Sequence, residues 1–210
     1  MVVVKYWFHI ASISLVFSLQ TFAAKADDDA ALQLSQHLQA TNDLVAVFSQ
    51  TSFDEAGRQV DFAQGELALA KPNVRWEVSE PFPQTILLTG DDLRIFDPDL
   101  EQVTQRNVSD TWGQVPLALL TRADADISAL FNVQKIPDSM AVIYDLTPKQ
   151  AQAGFERINI AFLDGVLQHI TVEDPFGQRT HIEFKAHISS QIEPQKFELD
   201  VPEGTEFIQG

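Results

Sequence analysis

From Leu44 onward the apolar residues recur at every second position, in short runs cut by turn-forming residues. Leu44, Ala46 and Phe48 share one face, with Val45 and Val47 on the other. Val74, Trp76 and Val78 alternate with Arg75, Glu77 and Ser79. A period of two is the strand period. The breaks are Asp54 to Arg58 with Gly57, then Lys71-Pro72-Asn73, Gly90-Asp91-Asp92 and Asp97-Pro98-Asp99, all rich in turn residues. Glu80-Pro81-Phe82-Pro83 forbids regular structure. Short strands joined by tight turns make an antiparallel meander. The expected strands are Leu44 to Asp54, Gln59 to Ala70, Val74 to Ser79, Thr85 to Thr89, Leu93 to Phe96 and Gln102 to Val108. They resume at Phe131 to Ile136, Ala141 to Leu146, Glu156 to Leu163, Val166 to Glu173 and Arg179 to Ile188, with Asp164-Gly165 as a hairpin turn. A mainly β sheet of ten or eleven strands must curl or close.

Two stretches depart from that period. Asp27 to Asp29 place negative charge at a helix start, and Ala31, Leu34 and Leu38 follow at helical spacing, with Leu32 beside them. Later, Pro116 opens an apolar run to Leu120, and Asp124 to Leu130 reads as a short helix capped by Asp124 or Asp126. These two segments are the available apolar covers for the concave face of a curled sheet.

Residues Met1 to Ala26 carry the marks of an export signal. Lys5 supplies the positive start, an apolar run extends to Phe22, and Ala24-Lys25-Ala26 is a small-x-small cleavage site. The run is shorter than the ~20 residues a membrane span needs. Cleavage before Asp27, with a cut after Ala24 as the alternative, leaves 184 residues, a single domain by size, with 12 basic residues against 30 acidic ones, a charge of -18. Such a charge argues against nucleic acid and anionic lipid surfaces as partners. The chain has no Cys, so disulfides and thiolate chemistry are excluded and the exported domain must hold through its core.

The chemistry-bearing motifs are absent. There is no nucleophile elbow, no phosphate loop and no zinc-protease helix. The mature histidines are His37, His169, His181 and His187; His181, Glu183 and His187 share one strand face, a metal-ligating set in principle, but Lys185 sits among them. A solvated outer face accounts for that pattern, so no catalytic residue, metal or cofactor is assigned. A curled sheet under a helical cover is then either a solid core or a ligand cavity. Periodicity does not separate these, because both need the same inward residues.

Several stretches, taken in order, resemble the outer-membrane lipoprotein carrier proteins (LolA) of Gram-negative bacteria. They are Phe48-Ser49-Gln50, Gln64-Gly65-Glu66-Leu67, Lys71-Pro72-Asn73-Val74-Arg75-Trp76-Glu77 and Phe96-Asp97-Pro98-Asp99-Leu100-Glu101-Gln102-Val103-Thr104. Pro116 to Leu120, Asp174 to Thr180 and Phe197 to Gly204 complete the likeness across the whole mature chain. The resemblance implies an unclosed antiparallel β-barrel of about eleven strands with a lid of about three α-helices. It implies a monomeric periplasmic shuttle, not an enzyme, that accepts acylated lipoproteins from an inner-membrane ABC-type complex and passes them to an outer-membrane receptor. The family carries an Arg that ties lid to sheet through backbone carbonyls. Here Lys71 holds that position, and Arg75 is the alternative latch.

Periodicity and motif match together nominate an acyl-chain lining. Phe48, Leu67, Val74, Trp76, Leu88 and Ile95 come from the early strands, Leu117 and Leu120 from the helical insert, and Ile160, Phe162, Ile182 and Phe184 from later strands. On this reading a Val74→Glu change alters transfer and leaves the fold intact. The runner-up functions are a periplasmic sensor of lipid or lipoprotein and a glycolipid carrier of the same fold.

Overall fold

The computed structural model describes residues 20–109, 117–121, 126–150, 154–189 and 191–210. Most of the expected export signal therefore lies outside the described residues, as do Pro116 and Asp124. Helix α1 spans Gln20–Ala40, beginning before the expected Asp27 and passing without a break through Ala24-Lys25-Ala26. Strands follow as β1 Leu44–Phe53, β2 Gln59–Ala70, β3 Asn73–Glu80, β4 Gln84–Thr89, β5 Asp92–Asp97 and β6 Gln102–Asn107. The insert holds α2 Ala118–Thr121 and α3 Ile127–Leu130. Then come β7 Phe131–Ile136, β8 Val142–Pro148, β9 Arg157–Leu163, β10 Val166–Glu173 and β11 Arg179–Ser189. A 3-10 turn at Pro194–Phe197 precedes β12, Glu206–Gln209.

The strands form one twelve-stranded sheet in the order β12-β6-β5-β4-β3-β2-β1-β11-β10-β9-β8-β7. All pairings are antiparallel except β12 with β6, which is parallel and joins Glu206–Gln209 to Gln102–Gln105. That strand adds a twelfth to the expected eleven, and a parallel pairing to an otherwise antiparallel sheet. Four residues with every side chain exposed carry no alternation to read.

This topology creates the cover. Strand β6 lies next to one edge and β7 is the other edge, so the link between them must traverse the sheet. It brings Ala118, Leu119 and Leu120 of α2 and Ile127 of α3 into the core. Asp126 caps α3, its Oδ1 accepting from the Ala129 N–H at 3.1 Å and the Ser128 hydroxyl at 2.6 Å. Helix α1 lies against β7 and α3, whereas α2 meets β2 and β3.

One continuous cluster of buried residues runs along the concave side. Ala30, Ala31, Leu34 and Leu38 form the buried face of α1, and Leu32, off that face, is 58% exposed. The sheet answers with its alternate residues, from Leu44, Ala46 and Phe48 to Leu67, Leu69, Val74 and Trp76. A smaller cluster sits on the convex face. There Phe197 and Leu199 of the C-terminal segment pack on Val45, Ala68 and Leu87. Lys196 pairs with Glu66 at 2.7 Å beside them.

Candidate functional site

Beneath α2 the concave core is not solid. A cavity of about 370 Å³ opens between two walls of the curled sheet. One wall comprises Trp76 of β3, Ile86 of β4, and Leu93 and Ile95 of β5. The other is Ile170 and Val172 of β10 with Ile182 of β11. Leu117 and Leu120 close it from the insert, and Gln50, Thr180 and Arg106 are its polar contributors. Two other depressions, of about 360 Å³ beside Phe155 and Arg157 and about 620 Å³ beside Val60 and Phe62, contain none of the insert's residues in their walls.

All twelve residues nominated as acyl-chain lining belong to or pack against the one concave core. Trp76, Ile95, Leu117, Leu120 and Ile182 reach the cavity. Phe48, Leu67, Val74, Leu88, Ile160, Phe162 and Phe184 are outside its wall, buried in packed core. The expectation for Val74→Glu is accordingly corrected. Val74 is 0% exposed, so a carboxylate there would be buried without a partner and would cost the fold. Ile86, Leu93, Ile170 and Val172 are lining residues missed by the sequence reading. Their signal was the same alternation that marked Leu88, Ile95 and Ile182, two residues away in each case or one strand across.

Tight packing beside the cavity explains which residues remain outside it. Phe48 stacks on Trp76 with centroids 3.8 Å apart, and Phe184 meets Trp76 edge-on at 6.1 Å. Gly65 permits this arrangement. A Cβ there would fall 1.8 Å from the Glu77 carbonyl oxygen and 2.9 Å from Phe48 Cε1. At that position the β2–β3 register shifts between Gln64 and Gly65. Under α1, Phe162 lies 4.9 Å from the His37 ring and 6.2 Å from the Tyr144 ring.

The latch residues divide. Lys71 Nζ donates to the Leu38 carbonyl in the last turn of α1, where a cation suits the helix dipole. The Lys71 N–H also donates to Asn42 Oδ1 at 3.1 Å, fastening the same junction. Burial lowers the Lys71 ammonium below the ordinary lysine value. Arg75 cannot share the role. It alternates with buried Val74 and Trp76, so it faces outward, where it pairs with Glu77 at 2.8 Å and donates to the Glu198 carbonyl at 3.1 Å. It holds the C-terminal segment to the convex face, which corrects its nomination as a lid latch.

A second tie secures the far side of α1. Tyr144, 0% exposed, places its hydroxyl 3.2 Å from His37 Nδ1, which also lies 2.9 Å from the Gln33 carbonyl. Burial, with Asp29 nearby, pushes the Tyr144 phenol up. On the outer face, His181 Nδ1 is 2.9 Å from the Thr171 hydroxyl and Glu183 pairs with Lys185 at 3.1 Å.

The chain is similar to proteins of known kind. The family model described as "Outer membrane lipoprotein carrier protein LolA" matches residues 39–200. The outer-membrane lipoprotein carrier protein of Azotobacter vinelandii (strain DJ) is 34% identical over 200 residues, covering 93% of this chain and 97% of that protein. Its counterpart from Pseudomonas fluorescens (strain Pf0-1) is 31% identical over 196 residues, covering 92% and 95%. An uncharacterized conserved protein of Thermus thermophilus shares the fold. Its crystal structure aligns with a TM-score of 0.56 at 9% identity, covering 86% of this chain and 99% of that one.

Proposed function

The chain belongs to the outer-membrane lipoprotein carrier (LolA) family, and on that premise we propose that it shelters the acyl chains of lipoproteins and carries them across the periplasm. The observation that carries this reading is the apolar cavity between sheet and insert, lined by Trp76, Ile86, Ile95, Leu120 and Ile182. A three-chain anchor holds about 45 methylenes, and at ~0.8 kcal/mol each their exposure to water costs on the order of 35 kcal/mol. Free diffusion of such an anchor is negligible, so a carrier must cover most of that surface and then release it. A hollow lined by apolar side chains does both, because it excludes water without a close jigsaw fit. Ligand cavities for drug-sized molecules run about 300–1,000 Å³, and three acyl chains exceed that size. The cavity of about 370 Å³ is smaller than such an anchor, so on this reading loading widens the space between the two walls and α2.

The domain assignment follows the same reading: residues 1–26 direct export and are cleaved near Ala26, and residues 27–210 form a single carrier domain. The carrier acts without catalysis and without a cofactor. Its donor is an inner-membrane ABC-type complex that supplies the energy of release, and its acceptor is an outer-membrane lipoprotein receptor. Direction then rests on the relative affinities of the three proteins for the anchor. The test is mass spectrometry of what co-purifies with the protein from periplasm. Acylated polypeptide supports the shuttle. Glycolipid alone, or a regulatory protein without acyl cargo, overturns it.

A further inference from the structure

Arg106 is the one charged side chain in the wall of the cavity among the described residues. It pairs with Leu93 across β5 and β6, which places it on the concave face beside an apolar lining residue. It stands one residue beyond the stretch of β6 covered by β12, which ends at Gln105, and its side chain is exposed. It therefore sits at the mouth and not in the depth of the hollow. Arg58, Arg75, Arg94 and Arg157 each meet a carboxylate within 3.4 Å; of the two described arginines that do not, Arg106 and Arg179, Arg106 is the one in the cavity wall. Arg106 has no ion pair and no side-chain hydrogen bond among the described residues. In a chain with 30 acidic and 14 basic residues, an arginine that faces a cavity and not an acid is a feature of the cavity.

Its chemistry selects what it can meet there. A guanidinium offers five N–H donors and accepts nothing. A diacylglyceryl anchor presents ester carbonyls, which only accept, at the point where hydrocarbon gives way to the polar head. With the chains under α2, those carbonyls come to the mouth. We propose that Arg106 binds the glyceryl ester carbonyls of the lipoprotein anchor and so sets how deep the chains enter and where the polypeptide leaves. This inference rests on the carrier reading above. Thr180 is less suited to the task, since its hydroxyl already lies 3.2 Å from that of Ser52. Gln50, with an amide that both donates and accepts, is a second contact from the opposite wall.

The experiment compares the exported protein with its Arg106→Met and Arg106→Lys variants, using three probes. The first is a synthetic triacylated lipopeptide. The second is its counterpart with the two ester carbonyls replaced by ether methylenes. The third is a diacyl phosphatidylglycerol of equal chain length. Arg106→Met is expected to weaken binding of the ester lipopeptide about tenfold, the value of a hydrogen bond to a charged group. It should leave the ether counterpart within about twofold, and that probe doubles as the control for an intact cavity. Arg106→Lys should restore part of the loss, because an ammonium still donates. Equal weakening of ester and ether probes, or of neither, overturns the role of Arg106 while leaving the carrier reading in place. Weakening confined to the phospholipid also overturns it, since the contact would then be to phosphate. Failure of the unaltered protein to bind either lipopeptide overturns the carrier reading itself.

Discussion

Two parts of the concave face are built from the same alternating pattern and end in opposite states. Beside α1 the interior is aromatic, with Phe131, Tyr144, Phe155 and Phe162 all at most 4% exposed and rings in contact. Below α2 it is hollow, with Trp76 and the aliphatic Ile86, Leu93, Ile95, Ile170, Val172 and Ile182 around free space. The covers differ in the same sense. Helix α1 buries Ala30, Ala31, Leu34 and Leu38 along several turns and is tied on both flanks, by Lys71 to Leu38 and by Tyr144 to His37. Helix α2 has four residues and amounts to a single turn. The concave face thus has a packed half under a tied helix and a hollow half under a single turn, the half proposed above to take the guest.

The largest expected effect separates the two by charge. Val74→Glu should destroy folding, because an unpaired carboxylate in the packed core costs several kcal/mol. Ile95→Glu, partly exposed to the cavity, should leave the circular dichroism spectrum unchanged and abolish acyl binding. Soluble, folded Val74→Glu protein would erase the distinction. Next comes truncation. Phe162→Ala should cost about 3–5 kcal/mol in urea unfolding and Ile182→Ala about 1 kcal/mol, since the cavity already deprives Ile182 of partners. Similar costs at the two sites would mean that the hollow is packed in solution. Lys71→Met should lose about 1–2 kcal/mol and speed amide exchange in the last turn of α1, while Lys71→Arg retains most of the protection. An unchanged exchange rate would remove Lys71 as a latch.

The smallest effect is one of pH. The folded Lys71 ammonium titrates below its unfolded value, so between the two values the unfolded chain binds more protons. Stability should rise with pH as it approaches the ordinary lysine value of 10.5. That positive slope should vanish in Lys71→Met. A slope shared by both proteins would assign it to other groups.

Most of the sheet was legible because alternation and turn chemistry agree along the chain. Strand β2 at Gln59–Ala70 and β10 at Val166–Glu173 follow their expected limits, each ending at a turn residue. At Asp164-Gly165 both residues take positive φ, 51° and 80°, as a two-residue hairpin demands. Strand β12 was not legible, since its pairing partner β6 lies about a hundred residues earlier and its own side chains have no buried face. The cavity was half legible. Inward-facing residues could be named, but Trp76 lines the space and its neighbour Leu67 does not, and that depends on strand curvature and on where α2 crosses. Arg106 was overlooked because an isolated charge near a sheet edge reads as solvent-facing. Its register with Leu93 is what turns it inward.

The strand order leaves β12 at one side and β7 at the other, with no ladder joining them among the described residues. A closed barrel has a circumference set by its strand number and shear, and it can widen only by breaking hydrogen bonds. This wall has a seam instead of a hoop. Unbending such a wall would widen it with each ladder left intact.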